Sequence, residues 1–132
     1  MLNFSNPNEF VPIHHFKIPT VYTWGNEYRD KREAIRKIAV KDFPNKPHKY
    51  NWYGFTIKVK RNRFERRLDI ENIPKLIIDA FSSKIIDADK SQYPNIKLYP
   101  DDDLEYVRAV QIEGTFSDDG RNETEVWILG KI

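Results

Sequence analysis

The sequence contains no cysteine. Disulfides and thiolate metal sites are therefore excluded, and the composition suits a reducing compartment, so the expected location is the cytoplasm. No apolar run approaches the roughly 20 residues that a membrane-crossing helix needs. Nor does the chain open with a basic stretch followed by an apolar one, as a secretory leader would. Neither sign of charge is in excess: the net value is +2 over 132 residues, too small to select a partner by itself. Hydrophobic residues make up 39% and charged residues 32%. That is enough of the first to bury a core and enough of the second to stay in water, so a single domain over residues 1–132 is expected.

What the chain does have is charge sorted along its length. Residues 54–67 carry six cations (Lys58, Lys60, Arg61, Arg63, Arg66 and Arg67) against Glu65, and residues 99–125 carry nine acids against Arg108 and Arg121. A basic stretch near an acidic one is more specific than a basic total. Its plain alternative is two solvated faces of opposite sign.

Hydrophobic periodicity gives the elements. Residues up to about Pro12 read as irregular, and residues 16–18 as a short strand closed by Pro19. Residues 27–40 read as an amphipathic helix with Asn26 as its N-cap. Tyr28, Ile35, Ile38 and Ala39 form the apolar stripe, and Lys31, Arg32, Arg36 and Lys37 lie mostly outside it. Residues 44–51 form a turn-rich connector. Phe55, Ile57 and Val59 then alternate with Thr56, Lys58 and Lys60, the period of a half-buried strand. Asn72 can cap a second helix with Pro74 in its first turn, burying Ile73, Leu76, Ile77 and Ala80. Within residues 82–100, Lys84-Ile85-Ile86-Asp87-Ala88 partly echoes Leu76-Ile77-Ile78-Asp79-Ala80, which reads as helix continuation or a second short helix. Residues 106–112 and 124–129 are the last strands, joined by a polar hairpin loop over residues 117–122. The expected fold class is α/β: a small domain with a mixed β-sheet and two main helices in the order βαβαββ.

The densest chemistry lies in residues 66–75 and in the run Asp101-Asp102-Asp103. Asp69 and Glu71 are alternate residues, and in extended chain such side chains point to one side. They stand where a strand is expected to feed a helix, a position at which such sheets expose functional groups. Converging carboxylates repel one another unless a cation lies between them. Hard cations such as Mg²⁺ take such oxygens together with substrate phosphates. Asp69, Glu71 and Asp103 are therefore the candidate ligands of Mg²⁺, with Mn²⁺ as a substitute, and the metal would activate a water for in-line attack on a phosphodiester. Lys75, in the first helical turn, would neutralise charge developing on the phosphate. Lys58, Lys60, Arg61, Arg63, Arg66 and Arg67 are the candidate DNA-backbone contacts, with Lys58 and Lys60 sharing one strand face.

Each of these has a structural alternative. Asp69 and Glu71 could serve the helix-start dipole and pair with Arg66 or Arg67. The lysines could protect an edge strand. Tyr50, Trp52 and Tyr53 could stack on bases or simply rim the core. His14-His15 reads as a surface or packing pair, Asp87 and Asp89 as loop or helix-end groups, and Asp118-Asp119-Gly120 as a turn.

Taken in order, these motifs resemble the RusA family of Holliday-junction resolvases. The matching residues are Asp69, Glu71, Asn72 and Lys75, then Asp79-Ala80, then Asp102-Asp103-Leu104-Glu105-Tyr106-Val107. Glu27-Tyr28-Arg29-Asp30 with the helix to Ala39, and the strand ending in Ile18-Pro19, are similar to the family's first helix and strand. The resemblance is discontinuous and runs from about residue 16 to residue 129. Glu71 stands where the family usually has Asp. Asp103 takes the place of the family's second aspartate, because Tyr106-Val107 then fall on its hydrophobic pair. The resemblance implies a RusA-like fold and a Mg²⁺-dependent endodeoxyribonuclease that cuts branched DNA such as four-way junctions. It also implies a homodimer, with Asp69, Glu71, Lys75 and Asp103 as the catalytic set. Two other readings stay open: a DNA-binding module of the same fold with impaired catalysis, and a protein-interaction domain that uses the acidic patch.

Overall fold

Alternation builds the centre of the sheet. In strand β2 (Trp52–Asn62), Tyr53, Phe55, Ile57 and Val59 are buried, while Thr56, Lys58 and Lys60 point to the other face and are not. The computed structural model describes residue 6 and residues 8–45 and 49–132. The middle of the expected connector, residues 46–48, lies outside the described residues. Strands β1 (Phe10–Ile18), β3 (Val107–Ser117) and β4 (Glu123–Lys131) complete a four-stranded sheet in the order β1-β4-β2-β3. Strand β4 is antiparallel to both β1 and β2, and β2 is parallel to β3. The sheet is thus mixed, in a small α/β domain, as the patterning implied.

Three details of the strands differ from the sequence reading. Strand β1 starts at Phe10, before the expected residue 16, and pairs with β4 from Phe10↔Lys131 onward, with a register shift between Pro12 and His14. Pro12 and the His14-His15 pair hide this strand from any alternation test, and a proline is tolerated there because β1 is an edge. Strand β3 runs on past residue 112 to Ser117. The segment after it is no hairpin, because β2 lies between β3 and β4. The connection instead passes over the end of β2 and is fastened to it. Arg63 N donates to Ser117 O (3.0 Å) and Asn62 N donates to Asn122 Oδ1 (2.8 Å). The polar turn residues are the same whether the next strand pairs locally or one place over. Gly120, at φ +81°, supplies the left-handed residue that the turn needs.

Helices α1 (Tyr28–Ala39), α2 (Pro74–Ala80) and α3 (Ser83–Asp89) lie on one face of the sheet. Ile35, Ala39, Leu76, Ile77 and Ala80 share a core with Phe16, Ile18, Phe55, Ile57, Val126 and Ile128. Phe81, between α2 and α3, meets the rings of Phe16, Phe43 and Phe55 at centroid distances of 6.0–6.2 Å. Helix α3 is the second short helix, and no helix among the described residues is long and apolar enough to cross a membrane. Asn26 is not the N-cap of α1. Glu27 takes that place at φ 54°, with no side-chain cap bond. Asn72 closes a short 3₁₀ turn (Ile70–Asn72) and does not cap α2, while Pro74 opens that helix as expected. The opposite sheet face is open. His15, Lys17 and Lys58 are exposed there, and the Trp127 ring lies between the stacked His15 ring (4.7 Å) and the Lys58 ammonium (5.5 Å).

The helices are bolted together by charge as well as by packing. Arg36, which the helical pattern put outside the apolar stripe, is fully buried. Its Nε donates to Ala80 O at the end of α2 (2.8 Å), and its Nη2 lies 2.9 Å from Asp89 Oδ2 at the end of α3. Arg32 grips the same carboxylate with two bonds of 2.7 Å, and Arg29 Nε donates to the Asp89 carbonyl (2.8 Å). Glu33 completes the cluster by accepting from Ser91 Oγ (2.5 Å) and Gln92 N (2.9 Å). Asp89 is therefore a buried anchor and not a solvated helix end. Burial alone would raise its pKa, but the bonds from Arg32 and Arg36 outweigh burial and hold it below the ordinary aspartate value.

Removing one partner of a buried pair leaves an uncompensated charge, at a cost of about 3–5 kcal/mol. Asp89→Ala should lose about that much in urea denaturation. Arg36→Met combined with Asp89→Leu should recover only part of the loss, because Arg32 is still left without its carboxylate.

Candidate nucleic-acid interface and carboxylate cluster

Strand β2 does not lead straight into Asp69, as the sequence reading had it. It ends at Asn62, and residues 63–69 run as a loop to the 3₁₀ turn. Between this loop and the ends of β2 and β3 lies a cleft of about 580 Å³. Arg61, Arg63, Arg66, Arg67 and Asp69 line it, and Val59, Ile73 and Phe116 supply apolar wall. Arg61 is held by Glu65 (3.1 Å) and by the Arg66 carbonyl (2.9 Å). Arg63 pairs with Asp118 (2.7 Å) and lies over the Phe116 ring at 4.9 Å. Arg66 and Arg67 are exposed and make no ion pair among the described residues. Four of the six candidate backbone contacts thus share one cleft. The other two face away: Lys58 pairs with Glu113 (3.6 Å) on the open sheet face, and Lys60 lines a separate concavity on that face.

The carboxylates are distributed differently from the expected triad. Asp69 and Glu71 are exposed, and neither side chain makes a hydrogen bond or ion pair among the described residues. Asp103 shapes the turn into β3. Its Oδ1 accepts from Glu105 N (3.0 Å), and its carbonyl accepts from Tyr106 N (3.1 Å) and Val107 N (3.0 Å). The aspartate brought to Lys75 is Asp102, one residue earlier. Lys75 Nζ lies 2.5 Å from Asp102 Oδ2 and 3.0 Å from Asp79 Oδ1, and 5.6 Å from the centre of the Trp24 ring. The backbone of Trp24 is tied next to this site by a 2.8 Å bond from its amide N–H to the Asn72 carbonyl.

The electrostatics of this cluster follow from its burial. The Asp79 side chain is 3% exposed. Burial, and next its hydrogen bond with the Asp102 carboxyl, push its pKa up to about 7. Asp102 is held well below the usual carboxylate range, first by that same bond and then by Lys75. Below about pH 7 the buried Asp79 keeps a proton that it can donate to the Asp102 carboxylate. Burial works against the Lys75 charge, but the bonds to Asp102 and Asp79 outweigh it and raise its pKa. A proton that titrates near neutrality beside a fixed ammonium is suited to acid–base work.

A protein-built three-ligand Mg²⁺ site does not fit this arrangement. The donors are oxygen-only, the class Mg²⁺ takes. Among the described residues, however, no three Asp, Glu or His side chains lie close enough to hold a metal ion. Where two carboxylates do converge, at Asp79 and Asp102, the Lys75 ammonium already neutralises them.

Other expectations resolve as packing. Tyr53 is buried, Tyr50 packs against Gly130, where even a Cβ would collide with its ring, and Trp52 meets the Phe10 ring at 5.5 Å. His14 bonds the Ala39 carbonyl (2.7 Å) and His15 bonds Glu125 (2.6 Å). The sequence reading missed the roles of Asp79 and Asp102. The signals were the Lys75–Asp79 spacing of one helical turn and the run of three consecutive aspartates, any of which could be the one that faces Lys75. Compared with family models, curated proteins and solved structures, the chain matches none.

Asp79 ionises at 3.8 in the unfolded chain and at about 7 in the folded one. Between these values the folded state keeps a proton that the unfolded state has released. The stability this proton contributes is full below pH about 4 and lost as pH rises through about 7. The opposite contribution from Asp102 falls below the unfolded value of 3.8, outside that window. Thermal melting of the wild type should therefore drop from mildly acidic to neutral pH, less a smaller opposite contribution from His14, whose burial holds its imidazole below the ordinary value. Asp79→Asn, which keeps a donor toward Asp102 but cannot titrate, should flatten that drop.

Proposed function

We propose that this protein grips the phosphate backbone of branched DNA, such as a four-way junction, in the arginine cleft and hydrolyses it there as an endodeoxyribonuclease. One observation carries the reading: four arginines and an aspartate without an ion pair among the described residues line a single cleft, and Ile73 of its wall stands two residues before Lys75 of the lysine–carboxylate cluster. Phosphate contacts from arginine give affinity without sequence preference. Lys75 is the group of this chain best suited to offset negative charge that builds on a phosphate as it reacts, and its two carboxylate partners fix its ammonium in place. Dependence on Mg²⁺, with Mn²⁺ as a substitute, belongs to the proposal. Asp69 and the bound phosphate, not three protein carboxylates, supply the oxygens that would hold the ion. Action in the cytoplasm belongs to the proposal as well. So does a homodimer, since a four-way junction has two-fold symmetry and takes two cuts.

A second reading, binding without cutting, is favoured by the lack of a three-carboxylate group among the described residues. A labelled four-way junction and a linear duplex, incubated with the protein in Mg²⁺ and in EDTA, separate the two. Cutting only with Mg²⁺ supports the nuclease. Binding without cutting under either condition supports the second reading, and no binding sinks both.

If the nuclease reading holds, Asp69→Asn should abolish cleavage and keep junction binding, because it removes a negative charge that faces phosphates. Lys75→Ala should lower the single-turnover rate on the order of a hundredfold. Its junction affinity should change by less than about 1 kcal/mol. An unchanged rate in the lysine variant would reduce Lys75 to a clamp on α2.

A further inference from the structure

Lys60 and Arg61 are neighbours in the chain and point to opposite faces of the sheet. Arg61 enters the arginine cleft on the helix side. Lys60 enters a second concavity of about 570 Å³ on the open face, together with Lys17 and Arg121. Sheet register assembles it. Strand β4 begins between β1 and β2, with Glu125 opposite Lys17 and Glu123 opposite Lys60, so the two lysines flank the first residues of β4. Neither lysine makes an ion pair among the described residues, while Arg121 is tied to Asp119 at 2.8 Å. Glu123 is the acid among the described residues of this lining. Lys17 and Lys60 face Glu125 and Glu123 across β4, yet the described residues of the lining hold three cations against one acid, and a bound anion offsets that excess.

The wall between the two concavities is the end of β2 and the connection fastened over it. This wall carries a cation to each side: Arg63, just after β2 and bonded to Asp118 of the connection, on one, and Arg121 of the connection, bonded to Asp119, on the other. A single DNA backbone lying in the arginine cleft cannot also lie on the far side of this wall. Two backbones that diverge from a branch point can.

We propose that the open-face concavity of Lys17, Lys60 and Arg121 is a second phosphate-backbone site, and that the tip of β2 sits in the fork between two DNA arms. Preference for branched over linear DNA then comes from filling both sites at once. This rests on the DNA-binding reading above and names the feature of the substrate that the protein selects.

The test uses a labelled four-way junction and a linear duplex of the same sequence, bound in EDTA over a range of salt concentrations. Lys17→Ala combined with Lys60→Ala should weaken junction binding and reduce its log–log salt slope by about two, one for each lost phosphate contact. Duplex affinity and slope should stay as in the parent. Arg66→Ala combined with Arg67→Ala should weaken both substrates. The charge-keeping pair Lys17→Arg and Lys60→Arg should bind the junction as the parent does, which separates lost charge from a disturbed fold. An unchanged junction slope in the lysine-to-alanine variant, or equal losses on junction and duplex, overturns the second site while leaving DNA binding in place. A parent protein that binds neither substrate overturns the binding reading itself.

Discussion

The structure turns on one buried carboxylate. Asp89 takes charge from Arg32 and Arg36 at once, and through Arg36 the cluster reaches the last carbonyl of α2. Helices α2 and α3 are seven residues each. Helices that short have little stability alone and depend on tertiary contacts. The contact they share is α1, through this cluster. The orientation of α2 sets where Lys75 and Asp79 point, so the geometry of the candidate site depends on an ion pair at the far end of the helix layer. The short reach of α2 makes that dependence direct: Lys75 sits in its first turn, and Arg36 fastens its last residue.

The lysine cluster follows a different logic from the arginine anchor. Arg32 and Arg36 face one acid that stays ionised, so the anchor carries net positive charge, balanced in part by Glu33. Lys75 faces two acids of unequal burial: Asp102 stays ionised, while the buried Asp79 gives up its proton only at about 7. The anchor is therefore indifferent to pH near neutrality, while the lysine cluster is sensitive to it. The two clusters share α2 and not their titration.

How much of this was legible depends on how local the cause is. Strand β2 was readable because Phe55, Ile57 and Val59 alternate without interruption, and α2 because Pro74 and four apolar residues at helical spacing mark its start and its inner face. The first half of β1 was not readable. Pro12 and two histidines break its alternation, and it is held by pairing with β4 at the other end of the chain. Arg36 was assigned to solvent because a charge beside an apolar stripe usually snorkels, and only a carboxylate delivered by α3 makes its burial tolerable. The basic cleft was legible as a run of charge. Its division between two faces was visible only for the strand residues, where Lys58 and Lys60 alternate with Val59 and Arg61. The choice of Asp102 over Asp103 rests on how the chain turns into β3, which composition does not encode.

The place of β4 in the sheet has a consequence for how the molecule assembles. This strand comes last in chain order among the elements, yet it lies between β1 and β2 and supplies every backbone pairing of β1. Among the described residues β1 has no other partner strand, and until β4 docks β2 is paired with β3 alone. A ribosome-bound chain with β4 still in the exit tunnel would hold a β2–β3 pair under its helices, with β1 adrift and two strand borders exposed. Closure of the sheet is then a single late insertion, and it must bring together residues separated by most of the sequence. Such long-range closure is slow compared with local pairing. While it is pending, the open borders are the part of the molecule most exposed to pairing with the wrong chain.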